Sequence, residues 1–250
     1  MLRGWLAADV APPTFHIIDP VAENLPEGVQ LDRSSAALDT RFDIVILGIK
    51  PQLLTELAPE IARILNPGAT LISILAGTTT DTLSGYFPDA RVIRLMPNLA
   101  AAIGKSPLGV FAPHDDAQQR AEMASLLAPL GAVIWIDEEV HMDAVTALAG
   151  SGPAFVYRFI DALSQGGEAA GLPRAIAAQL ALAMTEGAAI LAATSSETPT
   201  DLARRVTSPG GTTAAGLAVL DSGSALNILM TDTLRAARDR GTELAKGDVT

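Results

Sequence analysis

Apolar positions along the chain follow two different rhythms. Between Thr14 and Asp137, short β-branched runs alternate with stretches in which apolar residues recur every three to four positions. The runs TFHIID, DIVILGI, ATLISIL, RVIRLM and AVIWID have strand length, and the second and third are almost continuously apolar. Parallel strands covered on both faces have that character. Between them, PQLLTELAPEIARIL places Leu53, Leu54, Leu57, Ile61, Ile64 and Leu65 on one helical face, after a proline suited to a first turn. DDAQQRAEMASLLAPL reads likewise. Strand alternating with helix predicts a doubly wound α/β domain over residues 1–137, whose ligand lies beyond the carboxyl ends of its strands. Residues 138–250 carry no strand pattern and read as successive helices, divided by GSGP, GLP, SSETPT and VTSPGGTT.

Composition narrows the function classes. The chain has 250 residues, 49% of them apolar and 4% aromatic, enough for two domains packed through Ala, Leu, Ile and Val. A net charge of -11 without any Lys/Arg block disfavours nucleic acid or an anionic membrane as partner. The absence of cysteine excludes disulfides and thiolate chemistry and suits a cytoplasmic protein. His16, His114 and His141 lack ligand spacing, so no metal is expected. The most apolar stretch, Ala175–Thr194, is interrupted by Gln179, Thr185 and Glu186 and is expected to be a buried soluble helix.

Several residues are candidates for chemistry, each with a plainer alternative. Asp19 closes the first strand, where an acid can bind an adenosine ribose, although Asp before Pro also starts turns. Gly48, Ile49, Lys50 and Pro51 follow the most apolar strand; the lysine is either near a ligand or a solvated loop residue. Leu75–Thr79 and Met96–Asn98 repeat the arrangement at the next two strands, with Asn98 offering both donor and acceptor to an amide such as nicotinamide. In VTSPGGTT, Pro209, Gly210 and Gly211 stop one helix, and Thr212 and Thr213 begin another. Its unpaired N–H groups make an anion site, while Ser208 and the threonines are equally ordinary caps. Glu139 and Glu197 could balance a substrate cation or simply sit in first turns. AGSGPAF, from Ala149 to Phe155, is either a close helix contact or a pocket wall.

The segment DLARRVTSPGGTTAAGLAVLD, with DAVTALAGSGPAF, GIKP and RLMPN, resembles the pyrroline-5-carboxylate reductase family along the whole chain. The resemblance implies a Rossmann-type dinucleotide-binding domain, a helical domain forming a homodimer that assembles further in many members, and hydride transfer from NADPH or NADH to the C=N bond of 1-pyrroline-5-carboxylate, giving L-proline. It implies that Ser208, Gly211, Thr212 and Thr213 hold the substrate carboxylate, with Thr213 also near the ring nitrogen and counted as catalytic. Glu139 would lie near the substrate, and Glu197 would match a second acid after a one-residue shift. Gly48–Pro51, Ile74, Leu75, Ala76 and Asn98 would line the cofactor, with Asp19 and Ser35 at the adenosine ribose or its phosphate.

The chain departs from that family at its start. It opens at MLRGWLAADVAP, which resembles the end of the helix after a glycine-rich turn, and no G-x-G-x-x-G occurs. The sheet is therefore expected to lack its first strand, leaving a central position empty and an edge exposed. An acid at Asp19 should repel a 2′-phosphate, so NADH is expected to serve as readily as NADPH. Two other readings remain: a non-catalytic oligomerisation or binding remnant of this fold, and a dehydrogenase such as a 3-hydroxy acid dehydrogenase. The latter usually needs a lysine base in its helical domain, where Lys246 is the only lysine.

Overall fold

The computed structural model of the chain describes residues 1–36, 38–114 and 116–245. The chain divides into two compact units, Met1–Ser151 with Ala237–Thr250, and Gly152–Ala236.

The first unit opens with helix α1 (Leu2–Ala7), followed by strands β1 (His16–Ile18) and β2 (Gln30–Asp32), which pair in parallel. Strands β3 (Phe42–Leu47), β4 (Leu65–Ser73), β5 (Arg91–Met96), β6 (Ser106–Phe111) and β7 (Gly131–Trp135) form a separate five-stranded sheet in that order. Helices α2 (Leu54–Arg63), α3 (Thr80–Tyr86) and α4 (Ala117–Leu127) are the crossovers between its parallel pairs. Both faces are covered at the centre of the sheet. Ile72, Ile93, Leu95, Leu108 and Val110 pack beneath Trp5, Met123, Leu127 and Leu130, while Leu47, Leu71 and Val92 pack against Leu54, Ala58, Ile61, Leu83 and Phe87. Adjacent residues such as Leu71 and Ile72 are thus both buried, which is why these strands read as unbroken apolar runs.

Two features differ from the sequence reading. The short β2 and the Pro- and Gly-bearing β6 were not expected, and β6 runs antiparallel to β5. The link over residues 97–105 is too short for the crossover that a parallel neighbour requires. Second, α2 ends at Arg63, so Leu65 joins β4, while Leu53 sits in a preceding 3₁₀ turn, 40% exposed. Apolar spacing cannot separate a helix end from the strand that follows it closely. As expected for a sheet without its first strand, β1 and β3 share no ladder. Among the described residues β3 pairs with β4 alone and shows Ile44 and Ile46 partly to solvent, while the Phe42 ring meets His16 edge-on at 5.3 Å.

After Trp135 every described element is helical. A 3₁₀ turn (Glu139–His141), α5 (Met142–Val145) and one π-helical turn (Thr146–Gly150) complete the main run of the first unit. The second unit holds α6 (Gly152–Ala169), α7 (Arg174–Thr194), α8 (Pro199–Arg205), α9 (Thr212–Asp221) and most of α10 (Ala225–Ala245). Gly171, at φ +103°, turns the chain between α6 and α7, and Gly167 lets the helices close onto Ala177.

The stretch read as a buried helix is not buried within this chain. In α7 only Ala177 and Ala181 are covered, and Leu180, Leu182, Met184, Ile190 and Leu191 are all exposed. Periodicity marks an apolar surface without saying whether the same chain supplies its cover. By length and composition alone, Arg174–Thr194 and the run Thr212–Glu243 could also cross a membrane.

Candidate active site

In the first unit, β3, β4 and β5 run parallel, so the residues after Leu47, Ser73 and Met96 gather at one edge of the sheet. The Ile74 amide donates to the Leu47 carbonyl at 3.1 Å, bringing the Gly48 and Ile74 segments side by side. Lys50 is exposed and precedes the 3₁₀ turn begun by Pro51. Ile49 packs at the margin of the core, and Leu75 has its side chain inside it, so Leu75 offers backbone rather than side chain. Ala76 adds no bulk, and Gly77 takes φ +71°, which glycine adopts without strain.

Asn98 is more committed than its sequence position suggests. Its Oδ1 accepts from the Ala100 amide and its Nδ2 donates to the Ala149 carbonyl, both at 2.9 Å. One N–H and one lone pair of the amide remain for a ligand. Beside it, Gly150 lies within 3.2 Å of the Met96 sulfur for any added Cβ, so the GSGP glycine is a packing residue here.

Asp19 directly follows β1, and its Oδ1 accepts from the Val21 and Ala22 amides at 2.8 Å each. The turn reading of this residue is realised, and the turn follows directly on the end of β1. Arg33, which the sequence reading passed over, donates from the loop after β2 to the Ala22 carbonyl at 2.6 Å, placing a guanidinium beside that carboxylate end. Its signal was a lone arginine just past a strand too short to recognise. Ser35 lies differently from expectation. It is 7% exposed and donates to Glu60 Oε2 at 2.9 Å, which ties its loop to α2 instead of presenting a hydroxyl to ligand.

Glu139 also has its acceptors engaged. Oε1 accepts from the Thr80 amide (2.7 Å) and from Arg94 Nη1 (3.0 Å), and Oε2 accepts from the Thr80 hydroxyl (2.8 Å). Arg94 was missed because a charge inside an apolar run shows no partner in one dimension, and Thr80 because nothing sets it apart from its neighbours in GTTTDT.

In the second unit, α8 is capped by Thr198, which accepts from the Asp201 amide. Glu197 pairs with Arg205. The chain then turns through Ser208 and Pro209, with Gly210 at φ +70°. The Gly211 amide donates to the Ser208 carbonyl at 3.0 Å, and Gly211 is the N-cap of α9 with no side-chain capping bond. The first-turn N–H groups of Thr212 and Thr213 therefore keep the anion-binding character of a free helix start. A Cβ at Gly211 would come within 2.4 Å of the Ser208 Oγ, so the glycine makes room for that hydroxyl.

Small loops at three parallel strand ends, with an acid and a guanidinium near a further strand end, suit a dinucleotide's nicotinamide and adenosine flanks. Together with a helical region bearing an uncapped, hydroxyl-rich helix start, they define a nicotinamide-dependent oxidoreductase with a helical second domain. Residues 139–244 match the family described as pyrroline-5-carboxylate reductase dimerisation. The chain is 33% identical to the pyrroline-5-carboxylate reductase of Pseudomonas aeruginosa, over 98% of this chain and 92% of that protein. It is 37% identical to the enzyme of Arabidopsis thaliana, over 98% and 90% of the two chains. A solved pyrroline-5-carboxylate reductase from Coxiella burnetii superposes with a TM-score of 0.79 at 32% identity, covering 87% of this chain and 81% of that one. The Plasmodium falciparum pyrroline carboxylate reductase, solved with NADP bound, gives 0.82 at 24% identity, over 97% and 92%. The chain belongs to the pyrroline-5-carboxylate reductase family.

Proposed function

We propose that this chain reduces 1-pyrroline-5-carboxylate to L-proline, with NADPH or NADH as reductant. The observation that carries the reading is the uncapped start of α9 within SPGGTT. Thr212 and Thr213 amides, with the Ser208, Thr212 and Thr213 hydroxyls, hold the substrate carboxylate there. A nicotinamide held along the Gly48–Pro51, Ile74–Ala76 and Asn98 segments would supply a hydride to the imine carbon. With the imine nitrogen already protonated from solvent, the C=N π electrons move onto nitrogen as that bond forms and leave the secondary amine of proline, which takes a second proton from water. The Thr213 hydroxyl holds the ring nitrogen and its proton in place. The Gly48–Pro51, Ile74–Ala76 and Asn98 segments line the dinucleotide. In this reading residues 1–137 bind dinucleotide, and residues 138–250 bind substrate and make the homodimer. Such a dimer covers apolar side chains exposed in the single chain, including Leu180, Leu182 and Ile190. The cysteine-free chain acts in the cytoplasm. Lys246, weighed for a different dehydrogenase chemistry, lies outside the described residues.

The test is to follow nicotinamide absorbance as the chain is given 1-pyrroline-5-carboxylate with each cofactor, and to measure proline formed. One proline per nicotinamide oxidised is expected; no turnover with either cofactor rejects the reading. Asp19→Asn keeps an oxygen for the Val21 and Ala22 amides and removes the charge. It is expected to raise the NADPH-to-NADH ratio of kcat/KM about tenfold, as relief of one like-charge contact warrants. An unchanged ratio would place the 2′-position away from Asp19.

A further inference from the structure

The Glu139 carboxylate gathers three donors from two separate elements, and one of them is a buried cation. Arg94 lies on β5, 4% exposed, with its Nη1 on Glu139 Oε1 at 3.0 Å. Its Nη2 is buried without a hydrogen-bond partner. A guanidinium in that setting depends on its one carboxylate, because an uncompensated buried charge is strongly destabilising. Glu139 is thereby fixed above the end of β5, and it spends its remaining contacts on the Thr80 amide and hydroxyl.

Thr80 is the first residue of α3, directly after the Leu75–Thr79 loop. The other end of that loop is anchored too: the Leu75 amide donates to the Ser73 hydroxyl at 3.2 Å. Ser73 is in register with Arg94 across the β4–β5 ladder. Both ends of the loop, with the left-handed Gly77 between them, are therefore referred to the same point of the sheet.

We propose that Arg94 and Glu139 are positioning residues that hold the Leu75–Thr79 loop in the shape that receives the dinucleotide, and that Glu139 does not touch the substrate. This rests on the reductase reading for the identity of the ligands. It reassigns the one acid of the connecting segment that resemblance placed at the substrate. With three donors already on its two oxygens, Glu139 has little acceptor capacity left for a cationic ring.

The double variant Arg94→Met/Glu139→Leu replaces the pair by apolar side chains, which buried pairs tolerate in folding, while removing the anchor of Thr80. Glu139→Gln keeps oxygen toward the Thr80 amide and restores part of it. Three quantities are measured: hydrogen exchange of the Thr80 amide, cofactor Kd by nicotinamide fluorescence, and KM for 1-pyrroline-5-carboxylate. Loss of charge-assisted bonds predicts, in the double variant, Thr80 exchange and cofactor Kd each about tenfold higher, with substrate KM within about twofold of wild type. Glu139→Gln should recover most of the protection and affinity. A Glu139→Gln enzyme with substrate KM raised tenfold and cofactor Kd unchanged overturns the proposal, as does unaltered Thr80 exchange in the double variant. Absence of wild-type turnover would defeat the reductase reading alone, since amide exchange and cofactor titration still judge the loop.

Discussion

Thr213→Val, which keeps the side chain's shape and removes its hydroxyl, should lower kcat/KM for 1-pyrroline-5-carboxylate by about a hundredfold, the usual loss for a donor serving a charged reacting group. Thr213 stands in the first turn of α9, whose start has no side-chain cap. The backbone N–H groups survive the substitution, so carboxylate binding is weakened less than the step at the ring nitrogen. The loss should therefore fall more on kcat than on KM. Thr212→Val, which spares the nitrogen, should show the opposite division. Steady-state kinetics on both variants, with far-UV circular dichroism to show α9 retained, checks the pair. Equal and small effects on both would mean that the backbone alone holds the substrate.

The largest loss of stability is expected at a glycine far from this chemistry. Gly131 opens β7 at φ +144°, and a Cβ there would lie 2.0 Å from the Ser106 carbonyl oxygen and 2.5 Å from its amide nitrogen. Those atoms belong to the first ladder pair of β6 and β7, so neither can yield without parting the strands. Gly131→Ala should cost about 3 kcal/mol or more. In a chain of this size that lowers Tm by about 10 °C. Gly85 in α3 has nothing within 4 Å of an added Cβ. Gly85→Ala should leave Tm unchanged or raise it slightly, since alanine is preferred in helices. Thermal melts of the two variants side by side separate a steric requirement from mere flexibility.

The parts of this molecule legible in one dimension are those in which a local pattern decides the outcome. Unbroken apolar runs marked the core of β4, and β5, because helices cover both sheet faces there, and a like run marked β3 although Ile44 and Ile46 are exposed in the single chain. SPGGTT announced the helix restart, because Pro209 and the left-handed Gly210 permit little else. What was illegible depended on partners distant along the chain. Ser35 looked like a ligand residue until α2 brought Glu60 to its hydroxyl. The amide of Asn98 looked free until the Thr146–Gly150 turn brought the Ala149 carbonyl. Arg94 was unremarked inside RVIRLM, and Glu139 was read as exposed or substrate-facing, although each is the other's partner. β6 escaped because Pro107 and Gly109 mask a strand that the sheet nonetheless accepts between β5 and β7.

The sparse burial of the second unit carries a consequence for how the protein is made. Across Gly152–Ala236, Ala177 and Ala181 are the only fully covered apolar residues among those described. Two methyl groups cannot offset the entropy of ordering several helices. In a homodimer, completing these helices becomes a second-order event, and the population of finished subunits depends on how many copies a cell holds at once. A newly synthesised chain in a sparse population waits longest with its apolar helices uncovered, the interval in which proteases and chaperones compete for it.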